Sequence, residues 1–391
     1  MRLGVVGLGR AASSMLPSLA AHPRATLVAA ADPDPAARER FARDYGGATF
    51  PGAQALCRDG AVDAVYIATP HERHVADVEI AAAYGKHAIV EKPMALTLAD
   101  CDRMIQAARR AGTVLVVGHT HGFDPAVMAM RDIVRRGELG ALRMIVNVVY
   151  TDFLYRPRRP EELDTALGGG ILYNQIPHAV DVARTLHGGP LRSVKAVAGA
   201  WDPARRTEGA LAALLEFEDG AAASIAYSGY DRFDSDELTF WIGSSGARKG
   251  PAHGSARRAL AAAQSPEAEA RLKAQTGYGG SGVRAARGPA HQPHFGLLLV
   301  SCERGDMRIG PDAILVYGDD GVRHVPLPEG RAFPNKDNVV DELVNAVLNG
   351  TPPLHDGAWG RATLEASLAI VQSAHERREI MLREATVAGA R

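Results

Sequence analysis

The chain has 391 residues, 46% of them hydrophobic and 23% charged, with a formal net charge of -1. That length suits two domains and that composition a folded globular protein, while the charge balance offers no field for nucleic acid or an anionic membrane surface. Three scattered cysteines (Cys57, Cys101, Cys302) lack CxxC spacing, so a disulfide framework and a thiolate zinc site are not expected.

The chain opens on MRLGVVGLGR with no signal-peptide pattern, and no apolar run is long enough to span a bilayer; a cytoplasmic protein is expected. Through about residue 120, strands are predicted at 3–6, 26–31, 64–68, 87–90 and 114–118. Helices are predicted between them, at 11–21, 35–45, 74–84 and 98–111. Alternating βα units with nearly all-apolar strands imply a doubly wound parallel sheet of the Rossmann kind. From 121 to 391 the pattern changes to α+β with an open, mixed, mainly antiparallel sheet. A helix is predicted at 125–136, a strand at 143–150, a basic loop TDFLYRPRRPEELD, and one helix over 171–186. Strands are then predicted at 193–200, 210–217, 221–229 and 237–243, with closing helices at 336–348 and 360–382. Residues 244–294, rich in Gly, Ala, Arg and Pro, form an insertion with a helical stretch at 265–274; it reads equally as a lid or a surface excursion.

The first strand runs into Gly7-Leu8-Gly9-Arg10-Ala11-Ala12 and then a helix. Gly7 suits a tight turn, Gly9 lets backbone approach a pyrophosphate, and the amides at the helix start, Arg10 and Ala11, would receive it. Asp32 closes the second strand at the spacing where a carboxylate accepts the ribose 2′-OH; its competing role is a turn or helix cap. Pro33-Asp34-Pro35 brings no adjacent cation for a 2′-phosphate, so NAD is favoured over NADP. Ala68-Thr69-Pro70 and Glu91-Lys92-Pro93 end further strands on the same ligand-binding edge. Lys92 there is a candidate acid/base group beside a nicotinamide, against the ordinary fate of an exposed loop lysine.

The second chemical stretch is Gly168-Gly169-Gly170-Ile-Leu-Tyr173-Asn174-Gln175-Ile-Pro-His178-Ala-Val-Asp181. On one continuous helix, Asn174 and His178 would share a face, and the glycines would let backbone approach a ligand. Arg156, Arg158 and Arg159 crowd the preceding loop. They read equally as a clamp for a substrate's carboxylates or as a solvated or subunit-interface loop. His291 and His294 have no partner spacing for zinc, and no metal is expected.

Together the EKP run, the Ala68-Thr69-Pro70-x3-His74 stretch and GGG-x3-N-x3-H-x2-D resemble the glucose–fructose oxidoreductase / inositol dehydrogenase (Gfo/Idh/MocA) family over nearly the whole chain outside 244–294. The resemblance implies an NAD(P)-dependent dehydrogenase with Lys92 and His178 catalytic and cofactor contacts that extend to His74 and Glu91. It also implies homodimers or homotetramers paired through the second sheet. Many sugar-oxidising members carry Asp where this chain has Asn174, and Asn-Arg-Arg where it has Thr120-His121-Gly122. Stretches such as GHTHGFDPAV, WDPARRTEGA and HQPHFGLLLVSCERGD are similar to the phthalate 4,5-cis-dihydrodiol dehydrogenase branch. That likeness implies oxidation of an aromatic carboxylate's cis-dihydrodiol to a catechol, with His121, Tyr173, Asn174 and the loop arginines as substrate contacts. A neutral Asn174 fits, because a third carboxylate would repel a dicarboxylate. Oxidation of a sugar, glycoside or inositol is the alternative, and a catalytically silent NAD-binding regulator the second.

Overall fold

Runs such as LGVV and AVYI have no polar alternation, so they are stable only where both faces are covered. In the computed structural model, which describes residues 1–59, 61–263, 265–275, 278, 291–327 and 334–382, such runs build the first sheet. Its elements are β1 (Arg2–Val6), α1 (Arg10–Ala21), β2 (Thr26–Ala31), α2 (Pro35–Tyr45), β3 (Ala48–Phe50), α3 (Ala53–Arg58), β4 (Ala64–Ile67), α4 (His74–Ala83), β5 (His87–Glu91), α5 (Leu98–Ala111) and β6 (Leu115–Gly118). The strands are all parallel, in the order β3-β2-β1-β4-β5-β6. The winding therefore reverses between β1 and β4, where open α/β sheets bind ligands.

The remainder contributes α6 (Pro125–Arg135), β7 (Leu142–Tyr150), α7 (Gly170–Asn174), α8 (Ile176–His187), β8 (Leu191–Gly199), β9 (Ala210–Phe217) and β10 (Ala222–Ser228). After them come α9 (Ser255–Ala261), α10 (Pro266–Ala274), β11 (Leu297–Cys302), β12 (Gly305–Ile309), β13 (Ala313–Gly318), β14 (Gly321–Pro326), α11 (Pro334–Asn349), α12 (Gly357–Glu376) and β15 (Ile380–Met381). Its nine strands run β14-β13-β12-β11-β7-β10-β9-β8-β15, with only β7 and β10 parallel. Ile145, Val149, Leu215, Ile225 and Val300 are buried with Ala179, Val180 and Ala183 of α8 and Ala366, Ala369 and Ile370 of α12 in one core.

Two units result, one of residues 1–119, 270–288 and 331–364, the other of 120–269, 289–330 and 365–391. The first thus takes back α11 and the start of α12, a stretch the sequence pattern had placed in the second domain. Val339, Val340, Leu343 and Val344 of α11 are buried. Asp337 accepts from Ser18 of α1 (2.5 Å), and Asp341 and Asn345 take the Arg24 guanidinium. The backbone N–H of Val117 donates to the carbonyl of His355 (2.8 Å) at the β6 edge. Local periodicity predicts such a helix but not which sheet it covers.

Other departures are local. The helix expected over 171–186 breaks at Gln175, whose backbone (φ -118°, ψ -44°) separates α7 from α8, with Pro177 in the first turn. The strand expected at 237–243 is a 3₁₀ turn (Ser235–Thr239), followed by Phe240 and Trp241 at φ 63° and 56°. That segment is apolar enough for a strand, but its left-handed backbone cannot pair in a ladder. Strands β11 to β14, an antiparallel meander of three successive hairpins, were not foreseen. Part of the 244–294 insertion, including most of its glycine-rich run, lies outside the described residues. Among the described residues no helix is long and apolar enough to cross a membrane.

Candidate active site

In the first unit the glycine turn is shaped by contact. Gly7 sits at φ +89°, and a side chain there would meet the Ala68 carbonyl oxygen at 2.8 Å and Thr69 N at 2.9 Å. Gly9, the N-cap of α1, faces open space. The first turn of α1 carries no acidic residue, so its dipole favours an anion at this end. These features fit a dinucleotide pyrophosphate.

Asp32 lies beside this turn: its carboxylate accepts from Leu8 N (2.7 Å) and from Asp34 N (2.8 Å). Sequence adjacency missed Arg38. One turn into α2, its Nη1 donates to the carbonyls of Asp32 (2.6 Å) and Pro33 (2.9 Å), which brings a cation to the end of β2.

Thr69 and the EKP run are tied together from beneath. His74 is fully buried, its Nδ1 against the Pro93 carbonyl (3.0 Å) and its Nε2 against the Thr69 carbonyl (3.0 Å). Burial pushes its pKa down against those bonds. Expected as a cofactor contact, His74 is instead the staple between two ligand-edge loops. Thr69 donates to the buried Asp77 (2.8 Å). Glu91 accepts from the fully buried Tyr66 hydroxyl and from Lys92 N (3.2 Å). Lys92 is half-buried and precedes a cis peptide to Pro93. A loop strapped at Thr69, Glu91 and Pro93 gives its side chain a fixed root.

In the second unit, His178 starts α8, 7% exposed. Its ring lies 4.8 Å from that of His121, edge to face at 80°, and Phe295 stands 4.9 Å from His121 and 5.2 Å from His178. His121 Nδ1 is 2.8 Å from Asp124, whose side chain is wholly buried. Gln175 accepts from the Tyr227 hydroxyl (3.2 Å), which also meets Thr151 (3.0 Å). The structure thus brings together His121 and His178 with Asp124 and Phe295. Asp124 precedes a proline and looks in sequence like an ordinary helix cap, yet makes no capping bond.

Asn174 donates back to the Gly170 carbonyl (3.0 Å), within α7. Tyr173 is half-buried, and burial, followed by Glu208, raises its pKa. The glycines serve close packing of the chain on itself: a Cβ on Gly169 would meet the Glu162 backbone at 2.6 Å, and one on Gly170 the Thr207 hydroxyl at 1.9 Å.

Arg156 pairs with Asp152 (2.8 Å), and Arg159 with Glu161 (3.3 Å) and Glu162 (3.5 Å). Arg158 is buried over the Phe153 ring (3.9 Å), donates to the Phe153 carbonyl (2.9 Å) and lies 3.6 Å from Glu162. All three guanidinium groups meet carboxylates or a carbonyl of their own loop, partners with which a substrate's carboxylates would have to compete. His294 Nε2 donates to the Ile242 carbonyl (2.6 Å) while its Nδ1 accepts from Gly296 N (3.1 Å), and His291 pairs with Asp312 (3.1 Å).

Comparison with known proteins agrees with this architecture. Residues 1–119 match the model of an oxidoreductase family with an NAD-binding Rossmann fold, and 127–247 match the Gfo/Idh/MocA C-terminal domain. A 1-carboxy-3-chloro-3,4-dihydroxycyclohexa-1,5-diene dehydrogenase from Comamonas testosteroni is 41% identical, covering 95% of this chain and 94% of its own. An inositol 2-dehydrogenase from Rhizobium meliloti is 30% identical over 63% of this chain and 74% of its own. A dehydrogenase crystal structure from Bordetella bronchiseptica RB50 superposes with a TM-score of 0.93 at 46% identity, covering 98% of this chain and all of the other. The chain is therefore an NAD-binding dehydrogenase of the Gfo/Idh/MocA oxidoreductase family.

Proposed function

We propose that the protein oxidises a carboxylated cyclohexadiene cis-diol, of the phthalate dihydrodiol type, to the corresponding catechol with NAD. The observation that carries this reading is the near full-length likeness, 41% identity over 95% of the chain, to a dehydrogenase whose named substrate is a carboxylated dihydroxycyclohexadiene. The second unit's site suits it: two imidazoles beside Phe295 offer hydrogen-bonding edges next to a flat apolar wall. A dinucleotide held at the glycine turn and Asp32 would supply the hydride acceptor for oxidation at the carbinol carbon. The proton roles that the resemblance implies fall to Lys92, on the strapped loop after β5, and to His178, in the first turn of α8. Loss of the carbinol hydrogen leaves a hydroxy-dienone that tautomerises to the aromatic catechol, so oxidation is the favoured direction.

The test is NADH absorbance with carboxylated cis-dihydrodiols, uncarboxylated cis-dihydrodiols, inositols and sugars. Carboxylated dihydrodiols should give the highest kcat/KM, and Lys92→Ala should lower kcat about a hundredfold or more with NAD affinity little changed. Preferred turnover of inositols or sugars would overturn the substrate, and near-wild-type turnover of Lys92→Ala the role of the lysine.

A further inference from the structure

The geometry of the second unit points to a use for His121 beyond simple contact. We propose that Asp124 is a positioning residue that fixes the tautomer of His121, and that His121 takes the hydroxyl beside the one oxidised, so that the enzyme selects vicinal diols over isolated alcohols. This rests on the proposed function for the identity of the diol, though not for the dyad itself.

The turn Thr120–Phe123 carries His121 directly into Asp124, the N-cap of α6. An N-cap aspartate ordinarily accepts from the helix's own amides. Asp124 makes no such bond; instead its buried carboxylate lies 2.8 Å from His121 Nδ1. An ionised carboxylate can only accept, so Nδ1 carries the hydrogen and the other nitrogen, Nε2, is what the ring presents. In neutral His121, Nε2 is then an acceptor, suited to a hydroxyl proton.

Ring packing holds this orientation, with Phe295 against both imidazoles and the His178 ring edge-on at 4.8 Å. His294 contributes no third ligand group, since both of its nitrogens are spent on backbone. Two imidazoles side by side match two hydroxyls on adjacent ring carbons, one partner each. An isolated alcohol would use only His178 and leave the oriented Nε2 without its hydroxyl.

The test compares kcat/KM for a vicinal cis-diol with that for the matching ring carrying a single hydroxyl, in wild type, His121→Phe and Asp124→Asn. His121→Phe keeps a ring of similar size. It should cut the diol-to-monool ratio about tenfold, as expected for one hydrogen bond of about 1.4 kcal/mol, with the loss in the diol term. Asp124→Asn should lower the same ratio, and ¹⁵N resonances of His121 should move from a single Nδ1–H tautomer to a mixture, a signature that mere loss of packing would not give. Equal losses on diol and monool would overturn the proposal, as would an Nε2–H tautomer in the wild type. Run on inositols as well as on dihydrodiols, the comparison separates the two ideas. A ratio that falls only on inositols keeps the dyad and discards the carboxylated substrate. Turnover of dihydrodiols with an unmoved ratio keeps the substrate and discards the dyad.

Discussion

Cofactor choice is expected to turn on two side chains at the end of β2. Asp32 presents a carboxylate where a ribose 2′-OH would be held and a 2′-phosphate repelled, while Arg38 donates to the Asp32 and Pro33 carbonyls from α2. While Asp32 is present its charge should dominate, and NAD should be preferred. Asp32→Ala should lower kcat/KM for NAD about 10- to 100-fold, the worth of a charge-assisted hydrogen bond. It should also admit NADP, because Arg38 then becomes a phosphate partner. Adding Arg38→Ala should abolish that gain. Kinetics with both cofactors decide it: a wild type that prefers NADP, or a double variant that keeps the gain, sinks the assignment. Asp32 was legible in sequence because the fingerprint fixes its spacing. Arg38 was not, since a helix brings it back over residues that sequence adjacency passes by. His74 was legible as a motif member but not as a buried staple, which only its two carbonyl partners reveal.

Elements were legible where periodicity was strong and illegible where the backbone makes an exception. All the parallel strands but the short β3 announce themselves through branched and small residues, and β9 was placed to the residue. The break at Gln175 is marked only by Pro177, and the left-handed pair Phe240–Trp241 leaves no pattern. The arginine loop shows the same limit, because sequence displays its cations but not the carboxylates that meet them. Within the insertion, Glu269 of α10 holds both Arg205 nitrogens (2.9 and 3.0 Å) and the Arg158 backbone N–H (2.7 Å), with both side chains of the ion pair largely buried. Removing one partner of such a pair strands a charge and costs about 3–5 kcal/mol. Arg159, half exposed over Glu161, belongs to a class worth about 0–1 kcal/mol. Glu269→Ala should therefore lower the urea midpoint of unfolding clearly, while Arg159→Ala should barely move it. If Arg159→Ala leaves stability intact yet raises KM only for carboxylated substrates, the clamp reading returns for that residue.

At the scale of the whole molecule, one face of the nine-stranded sheet is covered by helices and the other is not a polar face. Register places Lys195, Leu214, Ser224, Val146 and Leu299 in one row, and Val197, Ala212, Ala226, Val148 and Leu297 in the next. Within these rows Val197 is 66% exposed, Leu214 50% and Leu299 36%. An antiparallel sheet with one solvated face ordinarily alternates apolar-in with polar-out, and an exposed contiguous apolar patch marks an interaction site. We propose that a second copy covers it, as the sequence resemblance implied, through an isologous contact in which each copy offers the same patch. Leu214→Lys would place a charge in that patch on both copies at once, so its cost doubles in a dimer while a monomer would tolerate it on an exposed strand. Sedimentation should show an oligomer for wild type and smaller species for Leu214→Lys and Val197→Lys at the same concentration, with the circular dichroism of the fold retained. Lys195 at one end of the first row, and Arg308 and His324 towards the other, are polar, so Arg308→Ala should affect association less than either lysine substitution. A monomeric wild type, or lysine variants that associate as before, would mean that this apolar face is not where copies of the chain meet.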